Sequence, residues 1–295
     1  MRDIYQSVTD KIIDQLEQGV VPWIKPWSGD PDPLPRNASS GRHYRGINNL
    51  ILGIEASLNC YASNRWMTFR QALELGGCVR KGEKATQVVF SGTQVACDPE
   101  SPVVSDSSKT RRIPFLKIFS VFNRSQVDGL DPESEALTFD AFEPSDRAEH
   151  IVEASGIAIR YQGFQACYLP LLDQVHLPER FYFKDAAAVY PTAFHELSHA
   201  TGHKSRLDRD LKGRFGSESY AAEELVAELS SAFLCAHSRI DGALQHASYI
   251  DSWLKVLRDD KKAIFTAAAH AQRASDYLLQ RAGLIESDED QAKAA

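Results

Sequence analysis

The first segment of the chain repeats its apolar positions with the spacing of a helix. Gly19 follows the last of these positions as a stop signal, and the repeating residues are Ile4, Val8, Ile12, Ile13 and Leu16. The pattern predicts an amphipathic helix. Residues 20–27 contain two prolines and cannot continue it. Three further prolines between residues 31 and 35 predict an extended connector.

The rest of the front half of the chain, which is residues 1–130, mixes helical and strand patterns. A second helix is predicted to open at residues 46–52, and a third over 68–75, where Thr68 is a capping residue and a Gly-Gly pair follows. Residues 87–90 and 115–122 are rich in β-branched and aromatic residues, which favours strands. Ser, Pro and Asp dominate the stretch 98–112 between them, which predicts a loop.

An acidic, turn-rich stretch at 131–147 predicts a linker between two domains. It is followed by a helical pattern at 146–155, by short strand patterns near 157–160, 166–169 and 174–177, and then mostly by helix. The tail, 286–295, is charged and poor in apolar residues and is predicted to be disordered. The predicted fold class is therefore α+β in two domains. The first covers 1–130, and the second, mostly helical with a small sheet, covers 148–285.

Charge is distributed unevenly between these two predicted domains. The net charge is −7, but residues 1–130 contain 16 Lys and Arg against 13 Asp and Glu, whereas 131–295 contain 17 against 27. Scatter in surface charge would also produce some asymmetry. The excess of cations is greatest at 41–90, where seven basic residues face three acidic ones. This pattern favours an anionic partner for the first domain.

The cysteines indicate a protein of a reducing compartment, and the lengths of the apolar runs argue against a membrane-spanning segment. The five cysteines are widely spaced with no CxxC pair, which argues against a disulfide framework and against a cysteine zinc site. The N-terminus begins directly with a charged helical pattern and has no signal-peptide core. No apolar run approaches the roughly 20 residues that span a bilayer. We therefore expect a cytoplasmic protein without a membrane partner.

The sequence His195-Glu196-Leu197-Ser198-His199 has the form HExxH. Residues four apart lie on one face of a helix, so the two imidazoles can bind a single zinc ion. Glu196 lies beside them, where its carboxylate can take a proton from a water molecule on the metal. Tyr190 and Pro191 predict the start of this helix. A surface helix with two unrelated histidines is the alternative interpretation.

A third ligand is predicted from a strong helical pattern over 220–234. Glu224 and Glu228 lie about 40° apart at the border of its apolar face. Buried acidic side chains need a partner, and a metal would supply one. The spacing favours Glu224 as the ligand and Glu228 as the residue that orients a ligating histidine, although the reverse assignment stays open.

Other polar residues of this region have simpler interpretations. Glu223 is interpreted as a solvated helix-face carboxylate, and Tyr220 as a packing or capping residue rather than an oxyanion donor. His203 is interpreted as a neighbouring polar residue. The charges of 206–209 would shape the cleft or pair with one another.

The front half interleaves aromatic residues with cations. Single-stranded nucleic acid is bound by stacking bases on aromatic rings while cations contact phosphates, so this composition is typical of such a surface. Each tryptophan taken alone is more often a core residue. The candidate single-stranded DNA-binding residues are Trp23, Lys25, Trp27, Arg42, Tyr44, Arg45, Arg65, Trp66, Arg70, Arg80, Lys81 and Lys84.

Taken together, these motifs resemble those of the ArdC-type antirestriction proteins carried by conjugative plasmids. The front-domain resemblance rests on residues 3–6, 9–13, 16–17, 19, 22–23, 26–27, 44–48 and 66–69. The back-domain resemblance, to a zincin-like metallopeptidase domain, rests on residues 195–202, 206–207, 220–221, 223–228 and 249–254.

The resemblance implies a single-stranded-DNA-binding front domain, a back domain of metallopeptidase type, and protection of incoming plasmid DNA from host restriction. His195, Glu196 and His199 carry over directly, whereas the third ligand carries over only as the pair Glu224 and Glu228. We expect one Zn²⁺ per chain, with another divalent metal as the alternative. The expected partners are single-stranded DNA and a protein substrate or restriction-system component.

Two other functions fit the same residues. One is a single-stranded-DNA-binding protein whose metal site is not catalytic. The other is a cytosolic zinc protease whose basic front domain recognises an acidic protein. The chemistry of Glu196 separates the first alternative from the main hypothesis, and DNA binding by the front domain separates the second.

Overall fold

The structure is a computed structural model. It describes residues 3–23, 34–61, 63–97, 110–130, 144–163, 165–183, 186–211, 217–240 and 249–286. The predicted tail after residue 286 lies outside these ranges, and so does the predicted linker up to residue 143.

Among its described residues, the front half combines three helices with two small sheets. The helices are α1 (Ile4–Glu17), α2 (Ile47–Leu58) and α3 (Phe69–Glu74), and all three confirm the sequence patterns. The strands are β1 (Arg36–Asn37), β2 (Arg65–Thr68), β3 (Cys78–Val79), β4 (Thr86–Cys97), β5 (Thr110–Asn123) and β6 (Val127–Asp128). One sheet has the order β1-β2-β5-β4, and β3 pairs with β6.

Local signals set the ends of these helices. The side chain of Asp3 accepts a hydrogen bond from the backbone N–H of Tyr5 at the start of α1. Thr68 and Gln71 form a capping box at the start of α3, which confirms the predicted cap. Gly19 lies just beyond α1 with a φ of +74°, a conformation that glycine adopts without strain.

Strands β4 and β5 form a hairpin that is longer than predicted. They pair antiparallel from Thr86 opposite Val121 to Cys97 opposite Thr110. Residues 110–112, predicted as part of a loop, are therefore strand, because pairing with β4 continues past the β-rich run. Residues 98–109, the rest of that predicted loop, lie outside the described ranges.

In the back half of the chain, which is residues 131–295, helices surround a three-stranded sheet. Strands β7 (Ala158–Tyr161), β8 (Cys167–Leu169) and β9 (Gln174–Leu177) have the order β7-β9-β8, with β7 parallel and β8 antiparallel to β9. All three strands confirm the predictions. The helices are α4 (Pro144–Ala154), α5 (Ala186–Thr201), α6 (Glu218–Ser238), α7 (Ile250–Asp259) and α8 (Ala263–Arg281).

Helix α5 begins earlier than the sequence predicts. The sequence predicts its start at the Tyr190-Pro191 pair, but the helix already begins at Ala186 and Pro191 lies inside it. Three alanines favour the extra turn, and Pro191 lacks only the N–H that would have bonded back to the first turn. The carbonyl of Pro191 accepts a hydrogen bond of 2.9 Å from Ser231 Oγ of α6. This contact ties the two helices that carry the predicted metal ligands.

The two halves of the chain share one apolar core. Helices α1 and α2 bury one face against α6, α7 and α8, so that Ile12 and Leu50 belong to the same cluster as Leu229, Trp253 and Ile264. A second core joins α4, α5, α8 and the back sheet. The predicted linker also ends sooner than expected, because residues 144–147 are part of α4.

Two predicted DNA-contacting tryptophans are core residues instead. Trp66 is 0% exposed and its ring packs edge-on against Tyr61. Trp23 is 7% exposed and packs against Trp253 with ring centroids 5.4 Å apart. Neither indole offers a free face to a base, because burial in the apolar core already occupies it. Lys25 and Trp27 lie outside the described residues.

Across the described ranges, no helix is both long enough and apolar enough to cross a bilayer. The cysteines whose state is described are free thiols: Cys60, Cys78, Cys167 and Cys235.

Candidate metal centre

Helix α5 presents His195 and His199 on one face. Their Nε2 atoms lie 3.2 Å apart, and the two rings are nearly perpendicular at 83°. The opposite face of the helix is anchored in the second core, where Phe194 and Leu197 are fully buried. The apolar packing therefore fixes the direction in which both imidazoles point.

Helix α6 brings Glu224 to the same point. Its Oε2 lies 3.4 Å from His195 Nε2, and its Oε1 lies 3.5 Å from His199 Nε2. Tetrahedral zinc with bonds of about 2.0–2.1 Å separates neighbouring ligand atoms by roughly 3.4 Å. One donor atom from each of the three residues lies within 4.8 Å of the other two, which is close enough for all three to bind one metal ion. The ligand assignment that the sequence favoured, Glu224 over Glu228, agrees with this geometry.

The outer ring nitrogens of both histidines face carboxylates. His199 Nδ1 lies 3.3 Å from Glu223 Oε1, and His195 Nδ1 lies 3.9 Å from Glu228 Oε1. A carboxylate opposite Nδ1 favours the tautomer with its proton there, which leaves the lone pair of Nε2 directed inward. Two inward lone pairs beside a third carboxylate repel one another unless a cation lies between them. The donor set thus fits a divalent metal.

Glu223 is part of this arrangement and is not the solvated carboxylate that the sequence suggested. Arg209 contacts it twice, with Nη2 2.7 Å from Oε1 and Nε 3.1 Å from Oε2. Arg209 also donates to the backbone carbonyl of Ser198 and to the hydroxyl of Thr201. It therefore joins the end of α5 to α6. The sequence contained no local signal for this pairing, since Arg209 lies in a loop.

Glu224 stays ionised although it is buried. Burial raises the pKa of Glu224, but its interactions with the two imidazoles outweigh burial and hold the pKa well below its usual range. Burial lowers the pKa of His199, but the carboxylates of Glu223 and Glu224 raise it to about 10. The carboxylates of the centre therefore favour a positive charge between them, which either a proton on His199 or a divalent metal can supply.

The centre opens into a cleft of about 570 Å³ between α5, α6 and strand β8. Glu196 lines the cleft beside the two histidines and is 8% exposed. Tyr220 and Tyr249 line it as well, with their hydroxyl oxygens 3.1 Å apart. Burial raises the pKa of both phenols, so they remain hydrogen-bond donors at neutral pH. Tyr220, predicted only to pack or cap, therefore presents a polar hydroxyl to the cleft.

The loop after α5 is fixed by ion pairs. Arg206 Nη1 lies 3.0 Å from Asp173 Oδ2, and Arg206 Nε donates to the carbonyl of Ala200. His203 contacts Ser205 and lies 3.8 Å from Asp173, outside the group of converging donors. This placement agrees with its interpretation as a neighbouring polar residue.

The predicted DNA-contacting cations do not form one cluster. Arg70 pairs with Glu74, and Arg80 pairs with Glu83 and Asp128. Arg45 contacts Asp276 of α8, and Tyr44 lies beside it in a groove against the β4–β5 hairpin. Arg42, Lys81 and Lys84 are exposed, and Arg65 is half-buried.

Two histidines from an HExxH helix and a glutamate from a second helix define a metal centre of zincin type. The comparisons agree: residues 146–270 match the family described as zincin-like metallopeptidase, and residues 2–122 match the N-terminal domain of anti-restriction factor ArdC. The chain belongs to the ArdC family of antirestriction proteins.

Solved structures of this family cover the whole fold. The metal-free crystal structure of antirestriction protein ArdC from plasmid R388 is 40% identical, with a TM-score of 0.80, and covers 97% of this chain and 100% of its own. The Mn(II)-bound structure of the same protein has a TM-score of 0.78 and covers 96% and 100%. The zincin-like match and the donor geometry together imply a divalent metal in this centre.

Relatives known from sequence include proteins of different length. The uncharacterized protein y4eC of Sinorhizobium fredii (strain NBRC 101917 / NGR234) is 43% identical over 282 residues, covering 94% of this chain and 91% of its own. DNA primase TraC of Escherichia coli is 41% identical over 294 residues, but the match spans only 27% of the primase.

Proposed function

We propose that this chain is an antirestriction protein that binds single-stranded DNA through its front half and holds one Zn²⁺ between His195, His199 and Glu224 for peptidase chemistry. The convergence of one donor atom each from His195, His199 and Glu224, all within 4.8 Å of one another, carries the metal assignment. Family membership and the cationic front half support the DNA assignment. We place its action in the bacterial cytoplasm, in the cell that receives the incoming DNA.

The residues around the centre have separate roles in this proposal. A bound divalent ion would supply Lewis-acid chemistry toward a peptide carbonyl and a water molecule. Glu196 accepts a proton from water in the cleft and returns it to the leaving amine. Tyr220 and Tyr249 donate hydrogen bonds to an oxygen that becomes negative during attack. Glu223 and Glu228 orient the two imidazoles from behind.

The cleft favours a catalytic role over a purely structural one. A structural zinc site is usually closed by four protein ligands, whereas three ligands and an open position are typical of a catalytic site. Here three donors converge, and the fourth side opens into the cleft with Glu196 beside it. The substrate of this site would be a protein, such as a component of a restriction system.

The DNA part of the proposal is supported by the family. In proteins named DNA primase, a stretch related to this whole chain makes up about a quarter of the length. Such an occurrence is consistent with a DNA-binding domain. The front half has an excess of cations, as phosphate contacts require.

Metal analysis of the purified full chain tests the metal centre. We expect about one zinc per chain, because three well-spaced ligands suffice for tight binding. His195→Ala should lose it, whereas His176→Ala, a change in strand β9, should retain it. Equal metal content in wild type and His195→Ala would contradict the assignment.

Plasmid transfer into a restricting recipient tests the chemistry. We expect Glu196→Gln to retain its metal but to lose protection, because the proton acceptor is gone. Full protection by this variant would favour the DNA-binding protein with a non-catalytic metal site.

A further inference from the structure

An aromatic row lies on the exposed face of the β4–β5 hairpin. Phe90 lies between Phe115 and Phe119, with ring centroids 6.1 Å and 6.5 Å away. Phe90 is 55% exposed and Phe119 is 45% exposed, in contrast to the buried tryptophans of the same half. These phenylalanines are therefore available for stacking.

The register of the hairpin explains why the rings share one face. Val88 pairs with Phe119, Phe90 with Lys117, and Gly92 with Phe115, and paired or alternate residues of a hairpin point to the same side. The absence of a side chain at Gly92 makes room for a ring, since a Cβ there would lie 2.6 Å from Phe115 Cζ. The Lys117 ammonium lies 5.1 Å from the centre of the Phe115 ring and adds a cation to the row.

A groove runs from this row to helix α8. Its hairpin side includes Phe90 and Phe119, and its other walls include Tyr44, Arg45 and Arg273; we call it the hairpin groove. Its volume is about 760 Å³. The groove thus combines walls from the front half and the back half.

The charge of the hairpin groove suits a polyanion. Its lining residues include the cations Arg45 and Arg273, and Lys117 pairs with the lining residue Phe90 on the hairpin. Asp276 is the one carboxylate among the described lining residues, and it is ion-paired with Arg45. A ligand in the groove therefore meets exposed rings and an excess of positive charge.

We propose that the hairpin groove is where single-stranded DNA binds, with bases stacked on Phe90 and Phe119 and phosphates near Arg45, Lys117 and Arg273. This inference rests on the proposed DNA-binding function and names its surface. Single strands suit the site because unpaired bases can reach aromatic faces, whereas the bases of a duplex are already stacked on one another. An acidic protein would satisfy the cations but would not need a row of exposed phenylalanines.

The experiment uses the full chain and a fluorescein-labelled oligothymidylate of about 20 nucleotides, longer than the roughly 4–16 that one single-strand-binding fold occupies. Binding is followed by fluorescence polarisation at low and at moderate salt. We expect Phe90→Ala with Phe119→Ala to weaken binding at least about tenfold, because losing one stacked base typically costs a factor of roughly 5 to 150. Phe119→Trp should retain binding, because the indole replaces the lost ring, and its fluorescence should be quenched by the oligonucleotide.

Two matched variants separate stacking from other effects. Phe181→Ala removes a ring that is 75% exposed in the back half, and it should bind like wild type. Lys117→Gln should weaken binding and reduce the slope of log affinity against log salt by about 1, as expected for one phosphate contact. Circular dichroism and metal content of each variant report on folding.

The outcomes distinguish this inference from the function on which it rests. If wild type binds the oligonucleotide but the double alanine variant binds equally well, the hairpin groove is wrong and the DNA-binding function stands. If wild type does not bind even at low salt, the DNA-binding function fails and the groove fails with it. Displacement of the oligonucleotide by polyglutamate at equal charge, with no effect of the phenylalanine changes, would overturn base stacking in favour of an acidic protein partner.

Discussion

Arg209 and Glu223 form a bidentate ion pair directly behind the metal centre. The guanidinium is 5% exposed and the carboxylate 12%, so the pair is largely shielded from water. Burial raises the pKa of Glu223, but hydrogen bonds from His199 and Arg209 lower it below its usual value. Glu223 is thus an ionised acceptor for His199 Nδ1, and Arg209 fixes its position.

The first prediction follows from this pair. Glu223→Gln should weaken metal affinity by about 10- to 100-fold, because an amide orients and polarises the imidazole less than a carboxylate does. Competition with a chromogenic chelator measures the change. Glu218→Gln, an exposed change on the same helix, is the control and should leave the affinity within about twofold of wild type. The role of Glu223 fails if both variants behave alike.

Substitutions of Glu224 and Glu228 in α6 should affect metal binding differently. Glu224 faces the inner nitrogens of both histidines, whereas Glu228 faces only the outer nitrogen of His195. We therefore expect Glu224→Ala to abolish stoichiometric metal binding, and Glu228→Gln to keep one metal per chain with weaker affinity. Metal analysis after dialysis, together with chelator competition, separates the two results. Loss of the metal in Glu228→Gln with retention in Glu224→Ala would reverse the assignment.

Trp66 and Phe119 should show opposite behaviour. Trp66→Ala removes a fully buried side chain and should cost about 3–5 kcal/mol of unfolding free energy in urea. Phe119→Ala removes an exposed ring and should cost less than about 1 kcal/mol. At low temperature, Phe119→Ala should weaken DNA binding more than Trp66→Ala does. A folded Trp66→Ala protein with sharply weaker DNA binding would restore the stacking role that the sequence suggested for this tryptophan.

Local sequence geometry accounts for the parts of the site that were predicted. His195 and His199 share a face because any helix places positions four apart together, so the pair needed no tertiary information. Glu224 and Glu228 lie only about 40° apart on α6, so the sequence could favour one without excluding the other. The packing of α6 against α5 makes the distinction, because it directs Glu224 to both inner nitrogens.

Long-range contacts account for the parts that were missed. Glu223 was assigned to solvent because its partner Arg209 lies in a loop that no pattern places against α6. The exposed phenylalanines were missed because the face on which a strand residue lies depends on the register of the whole hairpin. No sequence pattern indicates that the apolar faces of α1 and α2 are buried against the back half.

That shared core makes a prediction about truncation. A chain ending at residue 130 would expose the apolar faces of α1 and α2, including Ile12 and Leu50, which are buried against α6–α8 in the full chain. We expect the fragment to lack a cooperative thermal transition, because it loses much of its apolar burial. Circular dichroism melting beside the full chain measures this. A fragment that melts cooperatively near the temperature of the full chain would show that the front half is an independent folding unit.

The junction between the halves should also respond to pH. His237, at the end of α6, stacks on His43 of the front half with ring centroids 6.3 Å apart. Burial, together with the nearby charges of His43, Arg147 and Arg45, lowers the pKa of His237 to about 3. The folded protein therefore keeps this ring neutral, whereas the unfolded chain binds a proton below about pH 6.5.

Because the unfolded state binds this proton first, stability should fall as pH decreases from about 6.5 toward 3. At pH 5 the contribution of His237 is at most about 2 kcal/mol, since each unit of pKa difference corresponds to about 1.4 kcal/mol. Urea unfolding of chelator-treated protein at pH 7.5 and pH 5 measures the change. His237→Gln should remove that part of the loss, because the amide cannot take up the proton, whereas His176→Gln in strand β9 should retain it. An equal loss of stability in wild type and His237→Gln would show that the acid sensitivity arises elsewhere in the chain.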